Sequence, residues 1–185
     1  MFSQPVGLAS RAISMKHSLV YLRPFSVVYV RATGDYASSI PQAWERLFNW
    51  LDKNGLNSPI GRGYGLARDN PAIVGGEHCR YDACIELDPF LETRALRDLA
   101  VQTLPGGSYL RQRQSGDYNQ LNDVMANFHS QFVPPQDLQL DGKRPLVTIF
   151  LDDPRRLPPA ELRADICAPV TASFAIRRND GRIAA

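Results

Sequence analysis

Arg31-Ala-Thr-Gly-Asp-Tyr36 recurs 82 residues later as Arg113-Gln-Ser-Gly-Asp-Tyr118, with Arg, Gly, Asp and Tyr in the same places. Further along, Asp69-Asn-Pro71 pairs with Asp152-Asp-Pro154, and Arg80, Asp82 and Cys84 pair with Arg163, Asp165 and Cys167, all at an offset of 83. One inserted residue reconciles the two registers. Matches in the same order across most of a chain indicate an internal duplication, which we place at residues 23–88 and 105–170.

Each unit reads as β-α-β-β. Ser26-Val-Val-Tyr-Val-Arg31 and Ser108-Tyr-Leu-Arg111 are β-rich and run into Gly-Asp-Tyr, so each is an opening strand followed by a turn. Ile40, Trp44, Leu47, Phe48 and Leu51 then recur at helical spacing. Ser38-Ser39 serve as caps, Pro41 fits the first turn, and Asn54-Gly55 ends the helix. Leu121, Val124, Met125, Phe128 and Phe132 repeat the stripe until Pro134-Pro135 stops it. Two strands close each unit, 63–67 and 81–87 in the first, 146–151 and 165–170 in the second. A lone unit would leave much of its apolar face uncovered. The expected fold is therefore α+β, a tandem duplication about a pseudo-twofold axis with two helices over one antiparallel sheet and a central cleft.

The composition bounds the function. The net charge is +2 and the basic residues are scattered, so no stripe could neutralise many phosphates, and nucleic acid is not expected as a direct partner. Cys79, Cys84 and Cys167 form no C-x-x-C pair and suit reduced thiols in a cytoplasm. Apolar runs such as 27–30 and 146–151 are far too short to span a membrane. Residues 1–15 read as a disordered or dispensable leader, 16–172 as the domain and 173–185 as a tail. His78, Cys79 and Cys84 match no zinc spacing, and no metal or cofactor is implied.

Several segments together resemble the GyrI-like effector-binding domain of AraC-type regulators, which also occurs free-standing. They are Val-Tyr-Val-Arg-x-x-Gly-x-Tyr, the helix Pro-Gln-Ala-Trp-Glu-Arg-Leu-Phe, the strand Cys-Arg-Tyr-Asp-Ala-Cys, Leu-Pro-Gly-Gly, and the ending Leu-Asp-Asp-Pro-Arg-x-x-Pro-Pro-Ala-Glu-Leu-Arg-Ala-Asp-Ile-Cys-Ala-Pro-Val. The resemblance implies a pair of SH2-like motifs with a ligand cleft between them, usually taking amphipathic or cationic organic molecules. Members of that family often carry a glutamate six residues before the proline of the Asp-Pro motif. Here that position is Thr148, in Val147-Thr-Ile-Phe-Leu-Asp-Asp-Pro154. A threonine hydroxyl will not act as a general base near neutral pH, which weakens both the cation preference and the hydrolase chemistry the resemblance would otherwise suggest.

Six residues are candidates for the ligand site. Tyr36 and Tyr118, at matched positions, either wall the cleft or pack under their turns. Trp44 is core or cleft floor. Tyr64, between Gly63 and Gly65, is a ligand contact by resemblance or a packed strand aromatic. Thr148 and Phe150 share one strand face, two residues apart. Asp82 and Asp165, grouped with Arg80 and Arg163, read as structural ion pairs.

The functional reading is a ligand sensor or sequestering module that binds an apolar or amphipathic molecule; a transcriptional role would require a separate DNA-binding domain or protein. A hydrolase acting on electrophilic small molecules and a topoisomerase-binding role are the alternatives. A chain starting at Met15 is expected to melt within about 2 °C of the full-length protein in a thermal scan, and a larger loss would mean that the leader packs on the domain.

Overall fold

The computed structural model describes residues 17–56, 61–87, 97–121, 123–125 and 132–173. The expected leader and nearly all of the expected tail lie outside these residues, as does Phe128 of the second helical stripe.

The strands are β1 (Ser18–Leu22), β2 (Phe25–Thr33), β3 (Gly63–Ala67), β4 (Arg80–Glu86), β5 (Ala100–Leu104), β6 (Gly107–Ser115), β7 (Leu138–Leu140), β8 (Leu146–Phe150) and β9 (Arg163–Ala172). The helices are α1 (Tyr36–Lys53) and the short α2 (Pro71–Val74), with further helical turns at 119–121 and 123–125. All strand pairs are antiparallel, in the order β1-β6-β9-β8-β3-β4-β2-β5, and β7 adds to β9. The centre of this order is the β3–β8 pair, where Gly65 lies opposite Thr148.

Strand boundaries keep the spacings of the sequence motifs. β5 and β6 lie 82 residues after β1 and β2, and β8 lies 83 residues after β3. The edge strands β1 and β5 were not foreseen. Each precedes one opening strand in the chain yet pairs with the other: β1 runs beside β6, with Ser18 opposite Arg111, and β5 beside β2, with Ala100 opposite Tyr29. These exchanges make each half of the sheet four strands wide instead of the expected three, and each part of the chain completes the other's edge.

Both sheet faces are buried because the sheet curls. Alternation sends Gly65, Leu146, Thr148 and Phe150 toward the helices, while Tyr64, Leu66, Val147 and Ile149 enter a second core on the opposite face. α1 seats Tyr36, Ile40, Ala43, Leu47 and Leu51 on the first core, the i, i+3, i+4 pattern of a helix buried on one side. Its start corrects the expectation for Ser38 and Ser39. The helix begins two residues earlier, at Tyr36, Asp35 is the boundary residue, and the Ser38 hydroxyl donates to the Asp35 carbonyl. Pro41 accordingly falls in the second turn, where it is exposed.

The ion pairs also differ from the expected grouping. Asp82 is fully buried and accepts from Arg31 (Nε 2.6 Å, Nη2 2.9 Å), Arg68 (2.5 Å) and Gln102 (3.0 Å), not from Arg80. Asp165 is paired with Arg113. Arg80 turns instead to Asp69 and Arg163 to Asp152, at 2.7 and 2.8 Å. Neighbours two apart on one strand point the same way without meeting, so each arginine reaches across to another segment. Burial alone would raise the Asp82 carboxyl, but the donors from Arg31, Gln102 and Arg68 outweigh it and hold it below its ordinary value.

A depressed native value means that Asp82 stabilises the fold above its unfolded pKa of about 4 and loses that contribution as pH falls through the native value. Asp82→Asn is expected to cost about 3 kcal/mol in urea unfolding at pH 7, since two arginines lose their shared partner. The difference from the native protein should shrink as the pH is taken below 4, and an undiminished difference at pH 3 would contradict this account.

Candidate functional site

The site begins with the glycines of β3. A side chain at Gly63 would meet Trp44 Cη2 at 2.6 Å, and one at Gly65 would collide with the Tyr81 hydroxyl. The bare backbone lets α1 lower the Trp44 indole onto the sheet, where Nε1 donates to the Tyr81 hydroxyl at 3.1 Å. Phe48, one turn on, lies 5.5 Å from Trp44 between ring centroids; Phe150 meets the other side of Trp44 edge-on at 5.0 Å, and Tyr118 meets Phe150 at 4.8 Å. Four aromatic rings thus form a continuous row from α1 across β8 to the start of the second helical segment.

This row lines a cleft of about 530 Å³, whose wall also includes Ile40, Pro41, Asp153, Pro154 and Pro159. That volume is within the range of small-molecule pockets. The charged residues of its wall are all acidic: Glu45, Asp117, Asp152 and Asp153. Asp152 is held by Arg163, which lowers its carboxyl, and Asp153 by Arg155 at 2.9 Å. Asp117 accepts the Asn119 amide at 2.9 Å. Glu45 is exposed at the mouth and forms no ion pair among the described residues. Two of the four carboxylates are thus balanced by arginines, and Glu45 and Asp117 supply the negative charge of the wall that no arginine offsets among the described residues.

Three of the six candidate residues, Trp44, Tyr118 and Phe150, meet at this cleft. Tyr36 does not border it. Only 3% exposed, its hydroxyl donates to the Asp69 carbonyl at 2.7 Å and accepts the Asp69 amide at 3.0 Å, and burial raises its pKa. Tyr118 makes the matching bond to the Asp152 carbonyl at 3.1 Å, yet its ring also reaches Phe150 and the cleft. Tyr64 lies on the wrong side of the sheet, packed against Phe25 at 5.0 Å, because it alternates with the glycines beneath Trp44. Thr148 is 1% exposed beneath the second helical segment, where its hydroxyl donates to Met125 Sδ at 3.1 Å. Phe48 and Glu45 were missed as site residues, although Ile40, Trp44 and Phe48 form a row at four-residue spacing.

These features place the chain among α+β domains with an aromatic cleft on the helical side of a curled sheet. Residues 15–171 match the GyrI-like small molecule binding domain, and the chain belongs to that family. The DNA gyrase inhibitor of Serratia proteamaculans (strain 568) is 31% identical over 115 residues, 61% of this chain and 72% of that protein. The structure of EcmrR in complex with DNA superposes with a TM-score of 0.62 at 15% identity, covering 89% of this chain and 60% of the EcmrR chain. SAV2435 bound to tetraphenylphosphonium gives a TM-score of 0.54 at 15% identity over 85% of this chain and 94% of that one. The two structural likenesses are of fold. No helix among the described residues is long and apolar enough to cross a membrane.

Thr148→Glu is expected to cost about 3 kcal/mol or more in chemical unfolding, because the carboxylate would be buried against Met125 with no cation to meet it. Thr148→Val should cost only about 1 kcal/mol, the scale of one lost hydrogen bond. Equal stability of the glutamate variant and the native protein would place Thr148 on an open wall.

Proposed function

We propose that this domain binds a small apolar or amphipathic organic molecule in the aromatic cleft and serves as a ligand sensor or sequestering module. The observation that carries the reading is the row of Phe48, Trp44, Phe150 and Tyr118 along a cleft of about 530 Å³. Flat rings in a partly enclosed space offer apolar area and edge contacts to an aromatic ligand, while the acidic wall leaves room for a polar or cationic end and opposes an anionic one. The glutamate that members of the family often carry at the position of Thr148 is therefore not needed for a cation to be tolerated. A solved relative by fold, SAV2435, is bound to tetraphenylphosphonium, an aromatic cation, which agrees with this ligand class.

We infer further that the cleft separates two halves derived by tandem duplication. The offsets of 82 and 83 between corresponding strands, and a strand order that reads alike from either edge, support that origin. In a regulator the domain would act through a separate DNA-binding domain or protein, an arrangement the likeness to a DNA-bound EcmrR structure favours.

Fluorescence titration with the neutral probe N-phenyl-1-naphthylamine tests the reading. Saturable binding is expected, weakened about tenfold or more by Phe150→Ala or Trp44→Ala, as for the loss of a central aromatic contact. Anilinonaphthalene sulfonate, an anion of similar shape, should bind more weakly. Binding unaffected by both substitutions would move the site elsewhere, and a probe recovered chemically altered would favour the hydrolase alternative.

A further inference from the structure

Two groups of polar contacts in this chain contrast. In the first, a contact recurs at the 82–83 residue offset: Arg31 with Asp82 and Arg113 with Asp165, Asp69 with Arg80 and Asp152 with Arg163, and the Tyr36 and Tyr118 hydroxyls on the Asp69 and Asp152 carbonyls. Contacts that serve both halves alike hold the fold. The second group, centred on Arg155, occurs once.

The Arg155 guanidinium lies 4.8 Å from the centre of the Phe48 ring, binds Asp153 at 2.9 Å and reaches Asp52 on α1 at 3.5 Å. It therefore joins the loop after β8 to the end of α1, the two walls of the cleft. At the corresponding sequence positions in the other half, Arg155 is replaced by Ala72 and Asp153 by Asn70, while Phe48 and Asp52 correspond to Ser130 and Pro134. No member of this cluster has a like residue at the corresponding position, so it is not among the contacts that both halves share. Its mount is stiff: Asp153 accepts the Arg155 amide at 2.9 Å, and the next two amides, of Arg156 and Leu157, return to the Asp153 carbonyl. The tie to α1 is the weaker side, since Asp52 is 58% exposed.

Resting on the ligand reading above, we propose that Arg155 is a positioning residue that clasps the Phe48 end of the cleft, setting the length of ligand admitted and slowing its escape. The clasp is a charge pair plus a cation over a ring. Salt screens the exposed Arg155–Asp52 contact and leaves the buried Asp153 side largely intact, so opening is a swing of α1's end away from the loop.

The test uses two neutral probes of different length, N-phenyl-1-naphthylamine and Nile red, with dissociation followed by stopped flow. Arg155→Ala should release Nile red about tenfold faster and the shorter probe less than about twofold faster, with Asp52→Asn intermediate. Raising NaCl to 1 M should speed Nile red release from the native protein but not from Arg155→Ala. A ligand-free readout accompanies it: in a Trp50→Phe background, acrylamide quenching of Trp44 should rise about twofold on Arg155→Ala as the cleft opens. Unchanged quenching together with unchanged release of both probes overturns the clasp. Quenching that rises although neither probe binds any variant would uphold the clasp and sink the ligand reading instead.

Discussion

The antiparallel pairing of β3 with β8 is the contact on which the rest of the molecule depends. Among the described strands it is the pairing that joins the two groups of four at the centre of the sheet, and its register sets Gly65 opposite Thr148 and Gly63 opposite Phe150. A slip of one residue would turn Phe150 and Trp44's glycine seat to opposite faces and expose Tyr64 and Leu66 to the helices. The cleft is thus a consequence of register: the bare positions on β3 admit the Trp44 and Tyr81 side chains, and the filled positions on β8 supply the ring that Trp44 leans on.

Much of this was legible in the sequence for an identifiable reason. The Gly-Asp-Tyr and Asp-x-Pro motifs mark turns, and turns limit where the strands before them end, so β3 and β8 lie close to their expected bounds, while β2 and β6 run two and four residues further toward their turns than expected. The edge strands are hard to read because a short apolar run such as 18–22 shows neither its inner face nor its partner, and here the partner lies in the other half of the chain. For Tyr64 the structure agrees with the second of its two sequence readings, a packed strand aromatic: one residue from Gly63, it is sent by the pleat to the second core. Tyr36 and Tyr118 could not be separated by sequence, since both hydroxyls bond the carbonyl of the matching aspartate, and it is the neighbouring rings, Tyr81 for one and Phe150 for the other, that decide which borders the cleft. Thr148 was placed on the correct face, but its depth depends on Met125, which no pattern within the strand reveals.

Charge is used in two ways in this protein. Inside the curled sheet, Asp82 is shared by Arg31, Arg68 and Gln102, a buried carboxylate whose desolvation is offset by several donors at once. Around the cleft, Asp152 and Asp153 are largely buried against Arg163 and Arg155, while Glu45 stands exposed, where solvent lowers the cost of leaving it without an ion partner. The first arrangement fixes how strands meet; the second shapes the field that a ligand encounters. Removing a member of the first should therefore be felt in stability, and of the second in selectivity.

Two halves of similar plan could in principle present two similar clefts, so the asymmetry between them has to come from side chains. Where β3 offers Gly63 and Gly65 to the helix face, the corresponding positions of β8 carry Leu146 and Thr148; where β4 carries Tyr81, β9 carries Ala164. The large ring of Tyr81 needs the space above Gly65, and Trp44 needs both the Tyr81 hydroxyl and the space above Gly63, so these four residues form one interdependent set. The corresponding set of Leu146, Thr148 and Ala164 fills the space from the strand side and has no use for a tryptophan from the helix. Different side chains at a few positions facing the helices distinguish the two halves at the cleft, while the ion pairs that hold the strands are alike in both. Under the proposed duplication, binding specificity would have been acquired by enlarging aromatic side chains on one side and pruning the backbone beneath them, with the paired sheet left untouched.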